Sequence, residues 1–309
     1  MMATRRVHLM GTVIDVQIDD PKGEALADSV VARLKLYEHR FSANDETAEL
    51  MQVNHQAGVA PVAVAPELFD LIALGKKYSL RPDGNLNIAL GPLVKLWHIG
   101  FADAHKPSDE QIQARLALTD PHQIELDAQR QTVYLTQPGM ELDLGALAKG
   151  YIADLLTDFL RAAGVKSALL NLGGNVVVIG GKRTNADGNW HVGLQDPAQP
   201  LGTYRRVLNL RDQSIVTSGI YQRNLKAHNH FYHHIFDKHT GYPTPAQITS
   251  LSIISPRSVD GEIWTTMLFG QDRATIEQTV AQLPQVRAIV IDQAGRLTQC
   301  AGPGAVAVM

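Results

Sequence analysis

The run Glu141-Leu-Asp-Leu-Gly-Ala-Leu-Ala-Lys-Gly-Tyr-Ile-Ala-Asp154, followed by Asn171-Leu-Gly-Gly-Asn175, constrains this chain more than any other stretch. It reads as a strand, a small-residue turn, a helix and a second strand. Gly145 and Gly150, with Ala146, Ala148 and Ala153, leave room for a backbone to approach something bulky. Lys149 and Asp154 set charge of both signs beside that gap. Such a turn suits a phosphate-bearing ligand, although close packing is the commoner reason for one.

Residues 10–18 alternate apolar and polar as a half-buried strand does, and Pro21-Lys-Gly follows as a turn. A helix is expected from near Glu24, because Leu26, Val30, Val31, Leu34 and Tyr37 recur at helical spacing. Residues 68–80 and 148–163 repeat that pattern. Further strands are expected at 123–126, 132–135, 167–172, 175–179, 190–194, 204–210, 234–236, 250–254 and 286–291. No regular strand–helix alternation with a glycine fingerprint occurs, which disfavours a doubly wound dinucleotide fold. The expectation is an α+β fold with mixed, largely antiparallel sheets and flanking helices. No linker composition interrupts the chain, so residues 1–309 read as one domain, with 182–189 as its most exposed excursion.

The net charge of −3, with both signs interspersed, leaves no basic stripe to follow a phosphate backbone, so nucleic acid is not an expected partner. The single Cys300 can form no internal disulfide and has no zinc-type pattern around it. The opening Met-Met-Ala-Thr-Arg-Arg has no apolar run long enough for a signal peptide, and no membrane span is expected. The expected location is the cytoplasm.

Further segments have the character of a ligand site: Met10-Gly-Thr12, the stretch from Asp83-Gly-Asn-Leu-Asn87 to Trp97, Thr217-Ser-Gly-Ile-Tyr221, and His233-His-Ile-Phe-Asp-Lys-His-Thr-Gly241. Shorter ones are Phe41-Ser42, Trp190 to Pro197, and Asp260-Gly-Glu-Ile-Trp-Thr-Thr266. Taken in order, from about Met10 to about Phe269, they resemble the ApbE family, the FAD:protein FMN transferases. The resemblance implies an ApbE-like fold, FAD as a substrate and Mg2+ as a cofactor. It also implies an acceptor flavoprotein whose Ser or Thr receives FMN through a phosphoester while AMP leaves. Two other readings stay open: an FAD pyrophosphatase that uses water as acceptor, and a non-catalytic FAD-binding protein. Many relatives are exported lipoproteins, and no leader or lipidated Cys is visible here.

Asp260, Glu262 and Thr266 fall in an apolar segment that reads as a helix, where Glu262 and Thr266 share a face. Both can offer oxygen to a hard cation whose shell a phosphate completes, and Asp260 can instead cap the helix. The resemblance implies magnesium binding by Glu262, which stands where relatives carry Asp, by Thr266, and by the backbone carbonyl of Ile152. Of the two adjacent histidines it selects His234, which could accept the proton of an incoming hydroxyl, with Asp237 either assisting or capping a turn.

The resemblance further implies FAD contacts at Met10, Asn44, Asn85, Leu86, Asn87, Lys149, Ser218 and Gly219. Met10 offers a soft surface to a ring, and its ordinary reading is strand core. Asn44 stands where relatives often present Tyr, so stacking there is missing or falls to Phe41. Asn87 replaces an Asp and keeps hydrogen bonding without the charge. Ser218, Gly219, Tyr221 and Arg223 read as a compact polar turn, with Arg223 able to fork onto phosphate. Trp97, Trp190 and Trp264 read as core.

Overall fold

The computed structural model describes residues 2–220, 224–227, 230–245 and 247–308. The strands in chain order are β1 (Met2–Leu9), β2 (Thr12–Asp19), β3 (Val62–Ala63), β4 (Ile124–Asp127), β5 (Thr132–Leu135), β6 (Ala168–Leu172), β7 (Asn175–Ile179), β8 (Trp190–Gln195), β9 (Tyr204–Leu210), β10 (Ser214–Gly219), β11 (Asn224–Ala227), β12 (His230–His233), β13 (Ile248–Ser255), β14 (Arg287–Asp292) and β15 (Leu297–Ala301). The helices are α1 (Gly23–Phe41), α2 (Glu49–His55), α3 (Pro66–Ser79), α4 (Gly91–Trp97), α5 (Asp109–Leu116), α6 (Ala148–Ala162), α7 (Ser258–Leu268) and α8 (Arg273–Val280).

Eight strands form one sheet in the order β1-β2-β6-β7-β10-β13-β14-β15, and every pairing among the described strands is antiparallel. Successive residues of a strand face opposite sides, and β7 uses both. Val177 and Ile179 join the large core with Ile14, Val16 and Ile18 of β2 and with Val30 and Leu34 of α1. Val176 and Val178 join a second core with Trp190, Val192, Leu208 and Leu210 of the β8–β9 ribbon. The sheet is thus covered by helices on one face and by that ribbon on the other, which explains why β7 is buried along its whole length. Trp97 anchors a third cluster, with Leu93, Ile112 and Phe236, and its indole donates to the Gly241 carbonyl at 3.1 Å. All three tryptophans lie in apolar surroundings, as expected.

The α1 stripe is Ala27, Val30, Leu34, Tyr37 and Phe41, each three or four residues from the last. Phe41 is buried and stacks on Tyr37, with ring centroids 5.7 Å apart, so it is not free to replace an aromatic at position 44. The first strand is corrected: 10–18 is not one element. β1 pairs with β2 from Met2↔Asp19 to Leu9↔Thr12, and Met10-Gly11 is the two-residue turn between them. Both turn residues have positive φ, 53° and 65°, as a type I′ hairpin turn requires. Met10 is therefore a turn residue, not strand core, and its N–H donates to the Glu38 carboxylate. The strand expected at 234–236 is also shifted, since β12 ends at His233 and only Phe236 forms an isolated bridge, to Pro243. Ser218 and Gly219 end β10 rather than forming a turn, while Tyr221 and Arg223 lie outside the described residues.

Candidate active site

Antiparallel register brings the sequence motifs to one end of the sheet. β2 starts there after Met10-Gly11, and Ile14 pairs with Leu172, so β6 ends there. The Gly173-Gly174 turn leads straight into Asn175, with φ of 66° and 96°. A β-carbon on Gly173 would lie 2.4 Å from the Thr12 hydroxyl, so the two turns abut. β10 runs antiparallel to β7 and delivers Thr217, Ser218 and Gly219 to the same end, beside Ser252, Leu251 and Ser250 of β13.

Helix α7 lies against β10, β13 and α6, and Gly150 of α6 sets the crossing. A β-carbon at Gly150 would come within 2.6 Å of Glu262 Cγ and 2.7 Å of the Ser258 carbonyl oxygen. The bulky object that the small residues of α6 admit is therefore α7 itself, with its acidic side chain. Glu262 is 6% exposed. Its Oε1 accepts from Asn175 Nδ2 at 3.0 Å and lies 3.7 Å from the Lys149 ammonium. Ser258 Oγ donates to Asn175 Oδ1 at 2.5 Å, giving a buried line from α7 through β7 and back to α7. Thr266 stands one helical turn beyond Glu262 and is half-buried, whereas Thr265 turns inward to the Glu262 carbonyl.

Asp260 does not cap α7. The cap comes from Asp154 on α6, whose carboxylate accepts from the backbone N–H groups of Ser258 at 2.7 Å and Val259 at 3.0 Å. Ile152 lies inside α6 and is fully buried, which leaves only its backbone carbonyl, already part of the helical ladder, to meet a cation.

The loop after α3 reaches the far end of α7. Asn85 donates to Thr244 Oγ1 at 3.3 Å and to the Phe269 carbonyl at 3.1 Å. Asn87 donates to the Thr119 carbonyl at 2.8 Å and accepts from Ala89 N, so its amide is held in place by bonds that shape its own loop. Leu86 is a core side chain, which leaves only its backbone for a ligand. Between this loop and the turn that follows β12 runs a cleft of about 290 Å³, lined by Gly84, Asn85, Asp237, Thr244 and Gly270. Glu262 and Leu268, the last residue of α7, are about 9 Å apart along the helix at 1.5 Å per residue, so the cleft lies just beyond the far end of α7 from the Glu262 carboxylate. A larger hollow of about 360 Å³ lies at the opposite end of the sheet, among Asp20, Ser167, Arg183 and Arg211, away from all of these residues. Asn44 is exposed, with its N–H on Ser42 Oγ.

The two histidines separate cleanly. His233 is buried, accepts from Ile235 N at Nδ1 and so donates from Nε2 to the Thr244 carbonyl at 2.8 Å. Burial holds its imidazole below the usual histidine range, in the neutral form. His233 is thus structural, and the half-buried His234 beside it is the candidate for proton transfer. Asp237 caps the turn, accepting from His239 N at 2.8 Å and Thr240 N at 3.3 Å.

Residues 10–290 match the model of the ApbE family. The chain belongs to the ApbE family. It is 44% identical over 274 residues, 87% of this chain and 84% of the relative, to a protein of Klebsiella pneumoniae named FAD:protein FMN transferase. A Treponema pallidum protein of the same name is 35% identical over 97% of this chain and 87% of its own length. Among solved structures, the ApbE protein of Thermotoga maritima superposes with a TM-score of 0.88 at 23% identity, covering 97% of each chain. The flavin transferase ApbE of Vibrio cholerae gives a TM-score of 0.81 at 23% identity, covering 98% of this chain and 97% of its own. These two establish the ApbE fold, as expected from the sequence.

The donors at Glu262 fit the magnesium that the ApbE resemblance implies. Among the described residues no group of three or more His, Cys, Asp or Glu is placed to hold a metal. No hydrogen bond among the described residues reaches Glu262 Oε2, and Thr266 adds a hydroxyl. One carboxylate oxygen, one hydroxyl and substrate phosphates form a donor set that magnesium accepts, since it rarely uses an all-protein cage.

Asp154 gives this region a pH signature. Burial pushes its carboxyl up to about 6, and Asp260 adds to the rise, against the lowering effect of the two N–H groups and of Arg257 at 3.8 Å. The folded chain therefore holds this proton more tightly than the unfolded chain does. The stabilisation is fully present below about pH 4 and is lost as pH rises through 6, on the order of 2–3 kcal/mol in total. In thermal melts, the advantage of the wild type over Asp154→Asn should shrink between about pH 4.5 and 7. An advantage that grows over that range would mean that the ionised cap is the stable form.

Proposed function

We propose that this chain is a magnesium-dependent FAD:protein FMN transferase that attaches FMN to a Ser or Thr of an acceptor flavoprotein and releases AMP. The observation that carries the reading is Glu262, buried yet with one oxygen that accepts no hydrogen bond among the described residues, at the sheet end where the ApbE motifs meet. The name shared by the Klebsiella and Treponema relatives supplies the substrate class.

The acceptor hydroxyl oxygen attacks the FMN-side phosphorus, the P–O–P bond breaks, and AMP departs with the bridging oxygen. Glu262 Oε2 and Thr266 would hold magnesium, which supplies charge neutralisation at the pyrophosphate worth several kcal/mol of transition-state stabilisation on an order-of-magnitude basis. Lys149, on the rim of the same site, adds positive charge toward the pyrophosphate. His234 takes the hydroxyl proton. The Gly173-Gly174 turn and the end of β10 position the nucleotide, and the cleft at Asn85 and Gly270 takes one of its ends.

The test incubates the purified chain with FAD, magnesium and an acceptor domain, reading the intact mass of the acceptor together with free AMP. A mass gain of one FMN with equimolar AMP supports transfer. AMP and FMN without a gain, across several acceptor domains, identifies the pyrophosphatase, and intact bound FAD identifies a carrier. His234→Ala is expected to lower kcat about 100-fold with little change in FAD affinity. Unchanged turnover in that variant would remove His234 from the proton path.

A further inference from the structure

We propose that Asn175 is the positioning residue for the Glu262 carboxylate, fixing it so that Oε2 is the oxygen offered to a divalent cation. The inference rests on the reading of Glu262 as a metal ligand. Asn175 is 2% exposed and opens β7 directly after the Gly173-Gly174 turn, so its backbone is fixed by the sheet. An ionised carboxylate only accepts hydrogen bonds, so the amide nitrogen must face Glu262 and the amide oxygen must face Ser258. The Ser258 hydroxyl meets that oxygen at 2.5 Å, and the amide is held from both ends.

The consequence is an asymmetric carboxylate. Asn175 donates to Oε1 at 3.0 Å and the Lys149 ammonium lies 3.7 Å from the same oxygen, while no hydrogen bond among the described residues reaches Oε2. A glutamate has one more rotatable bond than an aspartate, and anchoring Oε1 to the sheet removes that freedom. Glu262 then binds through one oxygen, with Thr266 completing the protein's share. The anchor belongs to β7, not to α7, so the geometry of the ligand is set by how the helix sits on the sheet.

The test measures Mn2+, standing in for magnesium, by the electron paramagnetic resonance of the free ion with the full chain and FAD. It compares wild type with Glu262→Gln, Asn175→Leu and Asn175→Ala. The Asn175 variants are expected to weaken Mn2+ binding 10–100-fold and to raise the magnesium concentration for half-maximal activity by a similar factor, with kcat at saturating magnesium much less affected. A merely structural asparagine would lower the melting temperature and leave Mn2+ affinity in the folded fraction unchanged. If Glu262→Gln loses Mn2+ and folded Asn175→Leu binds within twofold of wild type, the positioning role is overturned while the metal site stands. If Glu262→Gln binds as wild type does, the metal reading itself fails, and the inference with it. Should neither Asn175 variant fold, Ser258→Ala removes only the bond that orients the amide. At least about a threefold weakening is then expected, and unchanged affinity overturns the proposal.

Discussion

Replacing Glu262 with alanine is expected to reduce magnesium-dependent FMN transfer by about 1,000-fold or more, the largest effect of any single substitution in this chain. A metal held at a transferring phosphoryl group stabilises the transition state by several kcal/mol, and each 1.36 kcal/mol is a factor of ten in rate. The alanine variant also strands the buried Asn175 amide and the Lys149 ammonium, so part of its loss will be stability. Glu262→Gln separates the two effects. A glutamine oxygen can still accept from Asn175 at nearly the same volume, so its melting temperature should stay within a few degrees of wild type while activity falls almost as far. Saturating magnesium should not restore it. Transfer by Glu262→Gln at near wild-type rate would show that the cation, if used, is held elsewhere.

How much of this could be read from the sequence depends on whether the signal was local. Helices α1, α3 and α6 begin within a few residues of their expected positions because each has an apolar face repeating every three or four residues, while α7 was read from a continuous apolar run, buried on almost every side. Strands β4 to β9 were equally plain. β1 was not, because Ala3 is its only buried residue and Arg5 interrupts the inward-facing side that Ala3, Val7 and Leu9 share. The apolar pattern ran through Met10, and a single glycine was too weak a mark for the hairpin turn there. α4 starts with Gly-Pro and ends within two turns, so its apolar residues carry no resolvable period.

The site divides along the same line. Glu262 and Thr266 were singled out by the ApbE resemblance, and the shared helical face expected for them is a local spacing that α7 keeps. Asn175 stood inside the first segment singled out, yet nothing local assigns it a role, since its partner Glu262 is 87 residues away. Ser258 carried no signal at all. Asp154 was noticed for its charge, but its role as the cap of α7 depends on two helices meeting, and the nearer Asp260 was the natural candidate. Asn87 and Phe41 show the converse. Both are polar or aromatic groups in suggestive places that the fold has already used, one on the Thr119 carbonyl and one against Tyr37.

The contact on which all of this depends is the crossing at Gly150, and Gly150→Val is expected to cost about 3 kcal/mol or more of stability. The first added carbon alone would sit 2.6 Å from Glu262 Cγ and 2.7 Å from the Ser258 carbonyl, and a backbone oxygen cannot swing aside as a flexible side chain can. Relief requires α7 to move off α6, which lengthens both Asp154 caps and pulls Glu262 from Asn175. Gly150→Ala makes the argument quantitative. Alanine gains roughly 1 kcal/mol in helix propensity over glycine, so without the crossing the substitution would stabilise α6. A net loss of up to about 2 kcal/mol in urea unfolding is expected instead, because overpacking of about 1–3 kcal/mol cancels or exceeds that gain. The folded fraction should also need several times more magnesium for half-maximal activity, since the same displacement reaches Glu262. A Gly150→Ala protein more stable than wild type, with unchanged magnesium dependence, would mean that the helices tolerate separation and that Glu262 does not depend on their approach.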